Sequence, residues 1–308
     1  MQAPWVGSEG SSPSSSPALP GADDAVGTGL HFEPLTRVVG SQVMGVRLSD
    51  ALSDTTVAAL RSQLLSRGVL FFRGQHLTPA QQVAFARRLG TLTRAHPLVG
   101  GLDVAHPEVL LLDSAAYPLG VGSKRDGTSY NNKWHTDVTF ASRPPLGSLL
   151  CAQQVPAAGG DTLWCSLTDA YATLSPPLRA ALDGLNAWHT AAGAFPAGRG
   201  GELPPVLHPV VRVHEETGAR GLFVNPVFTE SIEGLSEVES EALLRLCHSH
   251  ATQPERVVRW RWEAGDAVLW DNRSTMHYAS ADYAERRIMH RVTIEGTVPR
   301  GAHSPARL

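Results

Sequence analysis

The sequence predicts a mainly β fold of the α+β kind, an antiparallel sandwich or jelly-roll barrel decorated with helices. Three observations predict it. Short apolar or alternating runs bounded by turn residues dominate the second half; two pairs of these runs flank Gly-containing connectors; and helix patterns carry their own start and stop signals. With 308 residues and 42% hydrophobic content, the chain can fill a sizeable core.

Residues 1–29, "MQAPWVGSEGSSPSSSPALPGADDAVGTG", hold too little apolar surface to offset the entropy of ordering and are expected to be a disordered tail. Residues 30–300 read as one domain, with 301–308 as a flexible C-terminus. "SDTTVAALRSQLLSRG" opens with Ser53 and Asp54, places Val57, Leu60 and Leu64 at helical spacing and stops at Gly68. "VLFFRG" is a short buried strand. "TPAQQVAFARRLG" is a second helix, with Thr78 as N-cap, Pro79 at the first helical position and Gly90 past its end.

"PEVLLLD" reads as a strand, and the Gly/Ser-rich "YPLGVGSKRDGTSYNN" after it as a loop long enough to serve as a lid. "HPVVRVH" and "GLFVN" flank "EETGAR", and "ERVVRWRW" and "DAVLW" flank "EAG", both in the manner of hairpins. Between the pairs, "SEVESEALLRLCHSH" is a helix whose apolar face carries Val238, Leu243 and Leu246. "RIMHRVTIEG" is the last strand. No internal repeat is present.

With 26 Lys+Arg against 29 Asp+Glu, the chain has no basic surface for nucleic acid and no acidic excess. Its three cysteines, Cys151, Cys165 and Cys247, form no CxxC, which fits a reducing cytoplasm. No apolar run approaches the roughly 20 residues of a membrane helix, and no secretory signal opens the chain. The expectation is a cytoplasmic protein with no nucleic-acid or membrane partner.

"NNKWHTDVTF" puts His135 and Asp137 two positions apart, on one face if the stretch is extended. Alone, such a pair is more often a half-buried histidine bonded to an aspartate. A third ligand changes the balance: His277 follows a strand ending at Trp270, where a barrel could bring it opposite His135. Two histidines and a carboxylate suit Fe(II) and leave adjacent positions open, although zinc accepts the same donors. Arg287 and Arg291 share a strand face and match carboxylate or sulfonate geometry if they point inward. On their own they are somewhat more often ordinary surface arginines on a solvated strand face. Cys247, His248 and His250 of "CHSH" do not converge on a helix, His290 faces away from Arg291, and His208 and His214 belong to a hairpin and its edge.

Taken together, "WHTDVTF", "GGDTLW", "WDNRSTMHYA" and "RRIMHRVTI" resemble the TauD/TfdA family of Fe(II)- and 2-oxoglutarate-dependent dioxygenases. The likeness runs from about His31 to Thr297 and includes "VVGSQVMGVRLSDALSD" and "VLFFRGQHLTP". It implies a double-stranded β-helix (jelly-roll, cupin-like) core with flanking helices. It also implies Fe(II) on His135, Asp137 and His277, and 2-oxoglutarate with its distal carboxylate on Thr162 and Arg287. Arg291 is implied to meet an anionic substrate head or the cosubstrate's proximal carboxylate.

Because Asp137 is retained, where related halogenases vacate the position, the resemblance implies hydroxylation with O2, giving succinate and CO2. The implied substrate is a small anion: a sulfonate or alkyl sulfate that releases sulfite or sulfate, or a carboxylate-bearing metabolite. His96, Asn131, Phe195 and Phe228 match the family's substrate contacts. Val99 and Ala194 replace a Tyr and a Ser of its taurine enzyme, which favours a larger or more apolar substrate. A tailoring hydroxylase or desaturase and a non-catalytic metal-binding barrel are the alternatives, and homo-oligomerisation is left open.

Overall fold

The computed structural model describes residues 29–98, 100–115, 130–195 and 200–302. The tail up to residue 28, Val99, the lid segment up to residue 129 and residues 303–308 lie outside the described residues. The chain enters through β1 (His31–Pro34) and β2 (Ser41–Met44). Helix α1 (Asp54–Arg67) begins where the Ser53 hydroxyl accepts from the Thr56 N–H at 3.0 Å and ends at Gly68, whose φ of 71° suits glycine. Its Val57, Leu60 and Leu64 are buried, as their spacing predicts.

Strand β3 (Val69–Phe72) leads to α2 (Pro79–Arg87), where Thr78 and Gln81 form a reciprocal capping box, and then to β4 (Val109–Asp113). After the short 3-10 turn Tyr130–Asn132 come β5 (Gly147–Gln154) and β6 (Thr162–Ser166). Two short helices, α3 (Leu167–Ala172) and α4 (Pro176–Leu182), precede β7 (Asn186–His189), β8 (Val206–Pro209), β9 (Val211–Val213), β10 (Arg220–Leu222) and β11 (Thr229–Ile232). The chain closes with α5 (Glu237–Ala251), β12 (Val257–Trp260), β13 (Ala267–Asp271), β14 (Thr275–Ala279) and β15 (Ile288–Ile294).

A seven-stranded sheet in the order β1-β2-β3-β13-β5-β15-β4 faces a smaller sheet, β12-β6-β14. All pairings are antiparallel except β2 with β3. This is the jelly-roll that the pattern implied. Strands β3, β5 and β13 read as continuous apolar runs because both faces of the large sheet are covered. Leu70, Phe72, Leu149, Cys151, Ala267 and Leu269 pack outward with the residues of α1 and α2. Phe71, Leu150, Val268 and Trp270 pack inward with Trp164 of β6 and Val258 and Trp260 of β12.

Two expectations change. The runs around "EAG" do not form a hairpin: β12 pairs with β6, while β13 lies between β3 and β5. Val258 and Trp260 instead pack across the core against Val268 and Trp270, one sheet on the other. The corner is fixed by the buried Asp266 carboxylate, which accepts from Trp260 Nε1 at 3.2 Å and from the Glu263 N–H at 2.9 Å. The pair around "EETGAR" does form, as β9 with β10, but "HPVVRVH" is divided, its first part pairing as β8 with β7. On α5 the buried residues are Ser240, Leu244, Cys247 and Ala251, not Val238 and Leu246, which are 77% and 38% exposed. Leu243 of the expected face is half-buried against the core, and the inward stripe is displaced toward the C-terminus by one or two positions, α5 packing on α3 and β11.

Candidate active site

His277 stands in the middle of β14, on the face turned toward the large sheet. Its main chain exchanges hydrogen bonds with His135, N–H to O at 2.8 Å and O to N–H at 2.9 Å, so one isolated bridge lays the two imidazoles side by side, ring centroids 4.1 Å apart. "HTD" is not a continuous strand, as the spacing had suggested: after His135 the chain turns, and Val138 has a φ of 57°. The convergence of His135 and Asp137 therefore comes from a bridge followed by a turn. His135 Nε2 lies 3.9 Å from Asp137 Oδ1, and His277 Nε2 4.0 Å from Asp137 Oδ2.

A divalent ion fits this set. One ligand atom from each of the three residues lies within 4.8 Å of the others, and all three residues are buried. His135 Nδ1 is committed to the Lys133 carbonyl at 2.8 Å, which fixes the proton there and turns a bare Nε2 toward Asp137. Asp137 Oδ2 is buried and accepts no hydrogen bond. Burial would raise the Asp137 pKa, but Arg291, His277, His135 and His96 more than offset it and hold the carboxyl at about 2. Burial also pushes His135 and His277 below the ordinary imidazole value, so the set offers two neutral nitrogens and one anionic oxygen near neutral pH.

Arg287 and Arg291 line the same cavity as His135 and His277, together with Asn131, Thr162, Trp164 and Tyr283. Arg287 is buried, and among the described residues no carboxylate lies within ion-pair distance of it. Its Nε donates to the Gly160 carbonyl at 3.1 Å and Nη2 to Thr162 Oγ1 at 3.4 Å, while Trp262 Nε1 donates to that hydroxyl at 3.0 Å. The "GG" before Asp161 is needed here: Gly159 and Gly160 have φ of 78° and 71°, and a Cβ on Gly160 would press on Arg287 Cδ at 3.3 Å. A buried cation without a carboxylate partner is a place for an anionic ligand.

Arg291 projects from β15 onto the inner face and donates from Nη1 to Asp137 Oδ1 at 2.9 Å. His96 is buried beside Phe195, ring centroids 5.8 Å apart. Burial, with help from Arg291, lowers His96 to about 4. Its Nδ1 accepts from the Leu98 N–H at 3.1 Å, which leaves the proton of the neutral ring on Nε2. Val138, Phe140, Phe195 and Phe228 form an apolar cluster, with Ala194 packed against it.

Of the residues expected to meet substrate, Asn131 lines the cavity of Arg287 and Arg291, Phe195 and Phe228 pack with Val138 next to Asp137, and His96, beside Phe195, borders a separate groove with Pro97, Leu98 and Pro107. Sequence reasoning missed Trp262, Tyr283 and Asn272; Asn272 stood inside the quoted "WDNRSTMHYA". The "CHSH" residues do not gather: Cys247 is in the core and His250 Nε2 meets Thr173 Oγ1 at 3.1 Å. His214 Nδ1 accepts from the Glu216 N–H at 3.2 Å, and its Nε2–H donates to Asp271 Oδ2 at 3.0 Å. His135, Asp137 and His277 make the one metal-competent group among the described residues. Among these residues, no helix is long and apolar enough to cross a membrane.

Three donors so placed would leave an ion open to a chelating keto acid and oxygen, and the buried Arg287 would suit the far end of a dicarboxylate. That arrangement defines a non-haem iron dioxygenase with 2-oxoglutarate as cosubstrate. The chain belongs to the TauD/TfdA family: the family described as "Taurine catabolism dioxygenase TauD, TfdA family" matches residues 31–293. It is 38% identical to an alpha-ketoglutarate-dependent sulfate ester dioxygenase of Pseudomonas putida over 88% of this chain and 91% of that protein. An alkylsulfatase of Acinetobacter baylyi is 35% identical over 89% and 87%. The crystal structure of a taurine dioxygenase from Burkholderia xenovorans superposes with a TM-score of 0.77 at 40% identity, covering 89% of this chain and 93% of that one. Fe(II), 2-oxoglutarate and O2 are accordingly the cofactor and cosubstrates of this enzyme.

Proposed function

We propose that the enzyme oxidises alkyl sulfates, with His135, Asp137 and His277 as the Fe(II) ligands. The observation that carries this reading is a buried guanidinium, Arg291, bonded to the Asp137 carboxylate, with an apolar cluster of Val138, Phe140, Phe195 and Phe228 that begins at the next residue in the chain. An anionic head with an aliphatic tail satisfies both. The sulfate-ester and alkylsulfatase relatives favour sulfate as that head.

Bound Fe(II) and 2-oxoglutarate supply the oxidising chemistry, in which O2 and the keto acid become succinate, CO2 and a hydroxylated substrate carbon. The protein's part is placement. Thr162 and Arg287 hold the distal carboxylate of 2-oxoglutarate, with Trp262 fixing the Thr162 hydroxyl. Arg291 and the Nε2–H of His96 bind the sulfate, while Phe195 and Phe228 cover the alkyl chain and exclude water, which strengthens every charge interaction inside. Asn131, expected at the substrate, lines the cavity shared by Arg287 and Arg291. Hydroxylation of the carbon that bears the sulfate oxygen gives an unstable half-ester. Its C–O bond to sulfate breaks, the hydroxyl proton passes to solvent, and aldehyde and sulfate leave.

The test is anaerobic loading with Fe(II) and 2-oxoglutarate, followed by air and a panel of alkyl sulfates, taurine and phenoxyacetates. Sulfate and succinate should appear in equal amounts from the alkyl sulfates. Turnover confined to taurine or a phenoxyacetate would replace the sulfate-ester reading with that substrate class. His135→Ala should abolish the iron-dependent absorption of the 2-oxoglutarate complex, and a retained band would remove His135 from the ligand set.

A further inference from the structure

Asp137 is the one member of the cluster that no main-chain β-bridge holds. His277 lies inside β14 and His135 is clipped to it by two main-chain hydrogen bonds, but Asp137 sits beyond that bridge and Val138 follows at a φ of 57°. A β-branched residue in the left-handed region costs about 1–3 kcal/mol, so the local backbone alone would turn the ligand elsewhere.

The carboxamide of Asn272 opposes this. Its Oδ1 accepts from the Asp137 N–H at 2.9 Å, and its Nδ2 donates to the Asp137 carbonyl at 3.0 Å and to the Pro145 carbonyl at 3.2 Å. One N–H and two carbonyls admit only this orientation of the amide. Asn272 is fully buried, and its own N–H donates to the Leu146 carbonyl at 2.9 Å. A side chain thus supplies the donor and acceptor that a neighbouring strand would have given, extending the His135–His277 ladder by one rung. The other contacts nearby act elsewhere: Thr136 Oγ1 reaches the Thr275 carbonyl at 3.1 Å, and Arg291 grips the carboxylate itself.

We propose that Asn272 is a positioning residue of the metal centre, holding the Asp137 carboxylate against the two imidazoles through the Asp137 main chain. It touches neither metal nor substrate. The assignment rests on the reading of His135, Asp137 and His277 as the Fe(II) site.

The experiment measures anaerobic Fe(II) affinity of the full-length protein, together with its circular dichroism. Five chains are compared: wild type, Asn272→Ala, Asn272→Ser, Asp137→Ala and the Asn272→Ala/Asp137→Ala double variant. Both Asn272 variants should stay folded and bind Fe(II) roughly 10–100-fold more weakly, the usual effect of losing an outer support of a ligand. The visible band of the Fe(II)–2-oxoglutarate complex should shift in both. In the Asp137→Ala background, Asn272→Ala should add no further loss, because its effect runs through that carboxylate.

Folded Asn272 variants with wild-type Fe(II) affinity would overturn the proposal, as would an undiminished loss in the Asp137→Ala background. Failure of both Asn272 variants to fold would also overturn it, by making the residue a part of the core alone. A wild-type protein that binds no Fe(II) would remove the metal-site reading itself, an outcome distinct from the others.

Discussion

Arg291 Nη1 lies 2.9 Å from Oδ1 of Asp137, so the guanidinium proposed to face the substrate also touches the carboxylate of the metal cluster. A buried cation in that place has two effects. It keeps Asp137 ionised against burial, and in the proposed function it would give an anionic substrate its partner.

Removing Arg291 should therefore weaken both partners unequally. In Arg291→Ala the KM for an alkyl sulfate should rise by about 100-fold or more, as expected for a lost buried charge contact. The KM for 2-oxoglutarate should rise much less. Steady-state kinetics with each substrate varied in turn checks this, and equal losses would assign Arg291 to the cosubstrate.

The opposite split is expected at Arg287. Its guanidinium lacks a carboxylate partner among the described residues and shares the Thr162 hydroxyl with Trp262. Arg287→Ala should raise the KM for 2-oxoglutarate by about 100-fold. Thr162→Val, which removes one neutral hydrogen bond, should raise it by roughly 10-fold. At saturating 2-oxoglutarate, neither change should move the KM for the alkyl sulfate.

The aromatic cluster predicts a chain-length dependence. Each buried CH2 contributes about 0.8 kcal/mol, so kcat/KM should climb roughly fourfold per methylene until the space beside Phe195 and Phe228 is full. Phe195→Ala should flatten that slope and leave the shortest substrates little affected. A homologous series of alkyl sulfates gives the slope directly.

Acid should destabilise the metal-free protein in a defined window. The folded pKa of His96, about 4, lies below that of the unfolded imidazole near 6.5, so the unfolded chain binds the more protons in between. Stability is complete above pH 6.5 and falls as pH drops toward 4, by on the order of 3 kcal/mol from this residue. Buried His189 and His208 act in the same direction. Urea unfolding from pH 7 to 4 should show the fall, and His96→Gln should reduce its slope.

Behind the site, Asp271 accepts from Arg273 Nε at 2.9 Å and Nη2 at 2.6 Å, and is paired with His214 at 3.0 Å. Arg273→Leu leaves a fully buried carboxylate with half its partners and should cost about 3–5 kcal/mol of folding stability. Denaturant midpoints of the two proteins measure it.

Much of this was legible in the sequence because the information is local. Ser53, Thr78 and Gly68 mark helix ends through hydrogen bonds to residues three or four away, and the apolar runs of β3, β5 and β13 report burial on both faces. The chemistry was suggested by the likeness of four ordered motifs to the TauD/TfdA family, which implied roles for His135, Asp137, Thr162, His277, Arg287 and Arg291. Partnership between distant segments was less legible. β12 and β13 look like a hairpin because their spacing is that of a hairpin, yet a corner at Asp266 sends them to different sheets. The buried stripe of α5 depends on what the helix lies against, which no period in its own residues states.

By itself, the sequence determined which donors are available, the class of fold that would hold them and the kind of ligand two inward arginines require, since side-chain chemistry and strand alternation are properties of the chain alone. Tertiary structure decided how Asp137 reaches the histidines. The ligand is set by a one-residue bridge, a left-handed Val138 and an asparagine 135 positions away, and a hydrogen bond across that distance leaves no periodic trace in the residues between.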